Sequence, residues 1–383
     1  MKNKRLIWIT LIMVSLIGCR KAPQGVIDNM KQYGENDSAY TSNKKYSSVE
    51  DLSRKYSFKK NEFRNLMLPK DLDLSSVRGI YEINGVYGGE VFDKKDEILK
   101  CFEDFHNAEW KYCKGELDGE YGAEIEDGDK RAYFDKPGYY EYNLSQKWYV
   151  SNEGFQKPYK MLENHDEIDK AKIKTKQGPV SVQRYVKTIT DLYNSLPYNK
   201  TFVPQLHRVL MYKVDKNDVG CFIFEKCYEG VPLDLYCKNL KCENHTVYFD
   251  RVTNFLTVYI NEDGQLGLCT SDEEIRINKK KRLGKVLNVE SAIRIVSDTY
   301  SGFSKIKVEE LKPVYLVIPH YKKDGKTFYA KKGNRVELRP VYRFLIRNNE
   351  KNDVLQNMYF YICVDMQTGE IMSNFDAQSY KPY

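Results

Sequence analysis

Ser181-Val182-Gln183-Arg184-Tyr185-Val186-Lys187-Thr188-Ile189-Thr190-Asp191-Leu192-Tyr193-Asn194-Ser195-Leu196 is the stretch from which the architecture is read. Val182, Val186, Ile189, Tyr193 and Leu196 recur at the spacing that puts them on one side of a helix. Ser181 stands where a hydroxyl oxygen can accept from the free amides of a first turn. The pattern returns 107 positions later, with Asn288 as the cap and Val289, Ile293, Val296, Tyr300 and Phe303 as the apolar face. Three strand-like runs follow each helix: Val209–Val214, Cys221–Tyr228 and Phe255–Ile260, then Val314–Ile318, Val341–Ile346 and Met358–Val364. Each third run enters a glycine turn, Asn261-Glu262-Asp263-Gly264 in one case and Asp365-Met366-Gln367-Thr368-Gly369 in the other. A helix on a small antiparallel sheet, made twice, accounts for this order. The expected class is α+β, with antiparallel sheets each packed by a helix. The C-terminal half is then a tandem repeat of helix-plus-antiparallel-sheet modules over residues 179–278 and 286–383.

Working toward the N-terminus, Gly178-Pro179 after the charged run from Lys170 marks a boundary. Residues 57–175 read as a separate N-terminal α+β domain. In it, Asn84-Gly85 sits between Val77–Ile83 and Val86–Phe92 and predicts a two-residue hairpin turn. Ile98, Leu99, Phe102 and Phe105 share one side of a helix predicted over Asp96–His106. Short aromatic strands follow, over Tyr139–Leu144 and Lys147–Val150. Lys279-Lys280-Lys281-Arg282 lies between the two repeats, and reads as a solvated linker or a contact for anionic lipid or wall polymer.

Residues 19–56 are polar and read as a flexible tether. Before them come a basic start (Lys2, Lys4, Arg5) and the apolar run Leu6–Ile17, which is short of the ~20 residues a spanning helix needs. The run ends in Leu16-Ile17-Gly18-Cys19. This resembles a bacterial lipoprotein signal peptide over residues 1–18. The resemblance implies cleavage after Gly18, a diacylglyceryl group on Cys19 and a place on the extracytoplasmic face of the cell membrane, held by the lipid anchor. Two acyl chains hold stably where one does not.

The chemistry-bearing residues form no familiar constellation. The formal charge of +7 falls to +4 once Lys2, Lys4 and Arg5 are removed, which is no nucleic-acid footprint. Gly325-Lys326-Thr327 lacks the glycine a phosphate loop needs, since position 320 is His. The Ser-x-x-Lys triplets at Ser42, Ser57 and Ser304 lack the partner motifs of penicillin-binding enzymes. His106, His165, His207, His245 and His320 are scattered. Among the cysteines, Cys101/Cys113 and Cys237/Cys242 are the candidates for local disulfides, while Cys221, Cys227, Cys269 and Cys363 lie in strand-like runs that suit buried thiols. Cys237, Cys242 and His245 lack the second ligand pair of a zinc site. Glu116, Asp118, Glu120, Glu124, Glu126, Asp127 and Asp129 offer hard oxygens to calcium, but Gly122 takes a position an EF-hand needs as ligand. No metal or other cofactor is expected. Tyr139, Tyr140, Tyr142, Trp148 and Tyr149 are the candidate surface for a sugar or wall ligand, each ring offering a flat apolar side and a polar tip.

The helix-then-strands order, closed by Val364-Asp365-Met366-Gln367-Thr368-Gly369-Glu370-Ile371, is similar to PepSY-like modules, whose last hairpin carries an Asp-x-x-Thr-Gly-Glu element. The pairing of two such modules resembles extracytoplasmic regulators of the YycI and YycH type. The N-terminal half resembles uncharacterised lipoproteins of Gram-positive bacteria. The resemblance implies a non-enzymatic, protein-binding or regulatory lipoprotein, its partner a cell-surface protein or wall polymer. The alternative expectation is a carbohydrate-binding or cell-wall-binding lipoprotein, and the third is an enzyme whose site assembles only in the fold.

Overall fold

The structure is a computed structural model. It describes residues 44–59, 65–88, 90–102, 108–115, 119–136, 138–143, 158–163, 165–235, 255–271, 274–300, 306–319, 333–347 and 359–373, with Phe63, Phe105 and the pairs 241–242 and 245–246. The principal strands are β1 (Tyr81–Tyr87), β2 (Lys111–Gly115), β3 (Gly119–Asp127), β4 (Lys130–Asp135), β5 (Tyr140–Asn143), β6 (Val203–Val214), β7 (Asn217–Tyr228) and β8 (Val231–Leu235). They continue as β9 (Phe255–Ile260), β10 (Leu266–Ser271), β11 (Ile275–Arg282), β12 (Ile306–Pro319), β13 (Arg335–Arg347), β14 (Tyr359–Asp365) and β15 (Ile371–Ser373). The two long helices are α1 (Val182–Ser195) and α2 (Val289–Thr299).

Both helices begin where their caps stand. Ser181 Oγ accepts from the Arg184 amide, and Asn288 Oδ1 accepts from the Ser291 amide at 2.8 Å. Helix α1 buries Val182, Tyr185, Ile189 and Tyr193 against Phe222, Phe224, Val258 and Tyr140. At about 1.5–3 kcal/mol per large apolar side chain, that one face outweighs any helix propensity. Helix α2 buries Val289, Ala292, Ile293 and Val296 against Tyr342, Phe344, Ile362 and Val364. The turns after β9 and β14 are built alike. Asn261 Oδ1 accepts from the amides of Asp263 and Gln265, and Asp365 Oδ1 from those of Gln367 and Thr368. Gly264 and Gly369 take φ of +80° and +71°, open mainly to glycine.

The α+β expectation is overturned. Among the described residues strands outweigh helices, 54% against 16%, so the structure is mainly β. The antiparallel triples β6-β7-β9 and β12-β13-β14 do form. Neither closes into a helix-and-sheet module, because their edges are taken by strands from elsewhere in the sequence. One sheet runs from Lys160–Leu162 through β6, β7, β9, β10, β5, β4 and β3 to β2. Its β10–β5 ladder joins residues 268–271 to 140–143. The second sheet holds β8, β12 and β13, and β13 pairs with β1 along Arg335–Leu338 and with β14 along Val341–Arg347. Strand β8 pairs antiparallel with β7 and parallel with β12, so it stitches the two sheets together. Among the described residues, 17 strands are linked into one hydrogen-bonded network.

Three local expectations are also corrected. Asn84-Gly85 makes no hairpin: β1 runs straight through it, paired on one side with β11 and on the other with β13. A Cβ on Gly85 would lie 2.7 Å from the Arg276 carbonyl oxygen, so the glycine serves close approach of β11. The predicted helix after Asp96 is only the short Lys95–Leu99, followed by a turn. The polar stretch expected to stay loose to residue 56 takes up structure earlier. Tyr46–Ser48 pairs with Lys285–Leu287, and Leu52 is fully buried.

Candidate functional site

Alternation along the strands sends one set of side chains to the helices and the other to the opposite side of the sheets. In β13, Tyr342 and Phe344 join the core under α2, which leaves Val341 and Arg343 on the far side. In β12, Tyr315 and Val317 do the same, leaving Val314 and Leu316 opposite. On that far side, where β6 and β7 meet β8, β12 and β13, six ionisable groups form a chain. Arg343 Nη1 donates to Asp234, and Arg343 Nη2 donates to Glu310 Oε2 at 2.6 Å. Lys312 Nζ lies 3.1 Å from Glu310 Oε1 and 2.5 Å from Glu225 Oε1. His207 Nδ1 is 3.5 Å from that same Glu225 oxygen. His207 occupies the bulge between Leu206 and Arg208 in the β6–β7 ladder.

The chain is deepest at one end, where Asp234 is 1% and Arg343 3% exposed, and most open in its middle, where Glu310 is 31% exposed. Burial pushes the Asp234 carboxyl up to about 6, against the pull of Arg343. Its Oδ1 has no hydrogen-bond partner among the described residues, which fits a group that pays heavily for charge. Burial pushes Glu310 the same way, but Lys312 and Arg343 outweigh it and hold the carboxyl at about 2. Burial opposes Glu225 too, and Lys312 and His207 bring it below the ordinary carboxylate range. Burial lowers His207 to about 4, so its ring is neutral at neutral pH despite Glu225. The nearby thiols of Cys227 and Cys363 are pushed up by burial and stay protonated. A protonated thiol is a poor nucleophile. The arrangement can bind the two sheets to each other, and it offers no activated attacking group among the described residues.

A second buried pair lies on the helix side. Lys226 Nζ donates to Glu274 Oε1 at 2.8 Å, with the side chains 0% and 4% exposed. Tyr198 Oη donates to the same oxygen at 3.4 Å.

The residues singled out from the sequence fall elsewhere. Tyr140 and Tyr142 are fully buried in the core under α1, where Tyr142 stacks on Phe102 at 4.2 Å between ring centres. As core side chains they cannot present their rings to a sugar, and the candidate ligand surface is corrected accordingly. Tyr139 donates to Glu141 at 3.0 Å; Trp148 and Tyr149 lie outside the described residues. Cys101 and Cys113 carry free thiols. Cys242 stands opposite His245 in a short ladder, and Cys237 lies outside the described residues. In the acidic stretch, Arg131 holds Glu124 at 2.6 Å and Lys111 holds Glu126 at 3.3 Å. Among the described residues no group of three or more His, Cys, Asp or Glu could hold a metal ion. Leu16, Ile17, Gly18 and Cys19 lie outside the described residues.

Of the six members of the far-side chain, only His207 stands out in the sequence, and there only as one of the scattered histidines. A signal existed in the form of charged residues inside apolar strand runs, such as Glu225 in Cys221–Tyr228 and Arg343 in Val341–Ile346. Charges are rarely buried unless paired, so these positions called for partners that a single run cannot supply.

No protein-family model matches the chain, and no curated protein matches it. Among solved structures it is similar to an uncharacterised protein from Eubacterium rectale, with a TM-score of 0.58 and 13% identity over 85% of this chain and 95% of that one. At that identity the likeness is one of fold alone.

Proposed function

We propose that this chain is a lipid-anchored protein on the extracytoplasmic face of a bacterial cell membrane, and that its folded body binds another macromolecule instead of catalysing a reaction. The observation that carries the anchor is the Leu16-Ile17-Gly18-Cys19 box after a basic and apolar leader. The binding role draws support from the far side of the sheets. There carboxylates and cations neutralise one another, and the thiols are held protonated by burial. A regulatory contact with a cell-surface protein or wall polymer suits a broad sheet whose strands are cross-stitched by β8.

The test has two readouts on one membrane preparation. Mass spectrometry of the N-terminal peptide should find Cys19 as the first residue, carrying a diacylglyceryl group. A photo-crosslinking amino acid at Tyr159 or Met161, which are 49% and 50% exposed on an edge of the first sheet, should give a discrete adduct in cells. An intact leader sinks the anchor; absence of any adduct from either position counts against the binding role.

A further inference from the structure

The run Lys279-Lys280-Lys281-Arg282 is no linker: it forms the second half of β11, whose ladder among the described residues is with β1. The register places Ile275 opposite Tyr87, and both are in the core under α2. A bulge between Ile277 and Lys279 absorbs Asn278. After it, Lys280 and Arg282 stand opposite Ile83 and Tyr81, on the core side. Lys280 is spent there, donating to Tyr228 Oη at 2.6 Å and lying over the Tyr81 and Tyr228 rings. Arg282 is held by Glu50 at 3.1 Å. Arg276, Lys279 and Lys281 therefore share the opposite side. All three are exposed and have no ion-pair partner among the described residues, although Glu82 stands across from Lys281. Arg335 of β13 meets the same β1 residue as Arg276, from the other side, and it too is exposed. An edge strand is guarded against pairing by one or two charges; this row holds more than that purpose needs.

The second observation is where the N-terminal segment joins the body. Tyr46–Ser48 pairs with Lys285–Leu287, three residues beyond the end of β11, with Ser48 opposite the exposed Lys285. The ladder is antiparallel, so from Ser48 the chain runs toward its N-terminus past Leu287, away from β11, and four residue steps of ~3.3 Å put Lys44 roughly 15 Å from Lys285. Lys44 is itself fixed, donating to the Thr368 carbonyl at 2.8 Å. The 24 residues between Cys19 and Lys44 can span up to ~80 Å, so an anchor at Cys19 leaves β11 free to reach the same bilayer.

We infer that β11 is a second membrane contact, in which Arg276, Lys279 and Lys281, with Lys285 beside them, dock on anionic phospholipid headgroups next to the lipid tether. The inference rests on the reading that Cys19 is acylated. A tether keeps the body near the bilayer, and cations held within a Debye length (~10 Å) of anionic lipid are attracted to it. The docking would orient the body, turning β11 to the bilayer and the edge at Lys160–Leu162 elsewhere.

The test uses processed protein extracted from membranes and reconstituted in vesicles of phosphatidylcholine, alone or with about one-third phosphatidylglycerol. A membrane-impermeant amine reagent then labels lysines, which are read by mass spectrometry. Lys279 and Lys281 should label roughly threefold less with phosphatidylglycerol present, and recover in high salt. Lys187 on α1, 79% exposed, should label equally in both. Protein that rides on both kinds of vesicle with equal labelling overturns the inference and leaves the anchor standing. Protein that stays off both overturns the two together. Protection by soluble poly(glycerol phosphate), with none from phosphatidylglycerol vesicles, assigns the strand to a wall polymer and also overturns the inference.

Discussion

Replacing Lys226 by Met leaves the Glu274 carboxylate 4% exposed with its cation gone. What remains nearby is the Tyr198 hydroxyl at 3.4 Å and the charge of Lys200, which makes no ion pair with Glu274, both weak substitutes for an ammonium at 2.8 Å. Stranding one member of a buried pair costs about 3–5 kcal/mol. For a chain of this size, an m-value of roughly 3 kcal/mol per molar urea turns that into a midpoint lowered by about 1–1.7 M. Trp110 reports on the event, because its ring packs 5.8 Å from Phe134 in the core under α1. The assay is urea unfolding followed by tryptophan fluorescence for Lys226→Met, Glu274→Met and the double variant. Each single change should lower the midpoint by at least about 1 M, and the double should recover most of the loss, since two apolar residues of similar volume need no partner. A Lys226→Met midpoint within about 0.2 M of the parent would refute the reasoning, because the pair would then be worth no more than a surface bridge. Additive losses in the double variant would refute it differently, by showing two independent roles.

The far-side chain has a pH signature with two opposed parts. His207 has its proton affinity lowered in the fold, to about 4 from 6.5, so its contribution is full above about 6.5 and drains as pH falls toward 4; Asp234, raised from 3.8 to about 6, contributes below about 4 and loses that contribution as pH rises to 6. Stability measured from pH 4 to 6.5 should therefore climb less steeply in His207→Gln and more steeply in Asp234→Asn than in the parent, and parallel curves would contradict both assignments. Gly230→Ala should fold poorly or lose about 3 kcal/mol or more by thermal melting, since φ there is +83° and the new Cβ would meet the Ser76 carbonyl oxygen at 2.0 Å. Cys221 and Cys269, both pushed up to about 12 by burial, should react with iodoacetamide at least about a hundredfold more slowly in native protein than in urea; labelling at the unfolded rate would show that this core opens freely.

The helices were legible because each writes its whole environment into one face. The register of Val182, Ile189 and Tyr193 needs only a surface to lie on, whichever strands supply it. Ser181 and Asn288 work as caps for the same reason: a cap contacts its own first turn. The glycine turns after β9 and β14 are likewise local, each held by one Asx oxygen. What was misread involves partners remote in sequence. Asn84-Gly85 carries a hairpin signal that is sound for an isolated pair of strands. It fails in β1, which gains ladders on both sides, from residues 275–282 and 335–338. Satisfying two rows of backbone groups outweighs a turn preference worth far less. The charged run at Lys279–Arg282 looked solvated because nothing nearby in sequence could pair with it, whereas its ladder partner lies almost two hundred residues earlier.

The same argument explains why the order of helix and strands was legible while the expected repeat of helix-and-sheet modules is overturned. A repeat of helix and strands is a statement about spacing, and spacing is local. Whether a sheet stops at its third strand depends on the edges, and an edge is a row of unpaired amides and carbonyls that any strand can meet. Here β10 meets β5, and β8 meets both β7 and β12. The charged chain from His207 to Asp234 lies at the junction those edges create: Glu225 and His207 arrive on one sheet, Lys312, Glu310, Arg343 and Asp234 on the other. Glu225, Asp234 and Arg343, each read in its own strand, are buried charges without a partner, and an isolated buried charge costs too much to keep. Taken together they demanded a second sheet close against the first. A charged residue inside an apolar run is therefore evidence about tertiary contact, and in this chain it pointed to the joint that the periodicity of the helices could not reveal.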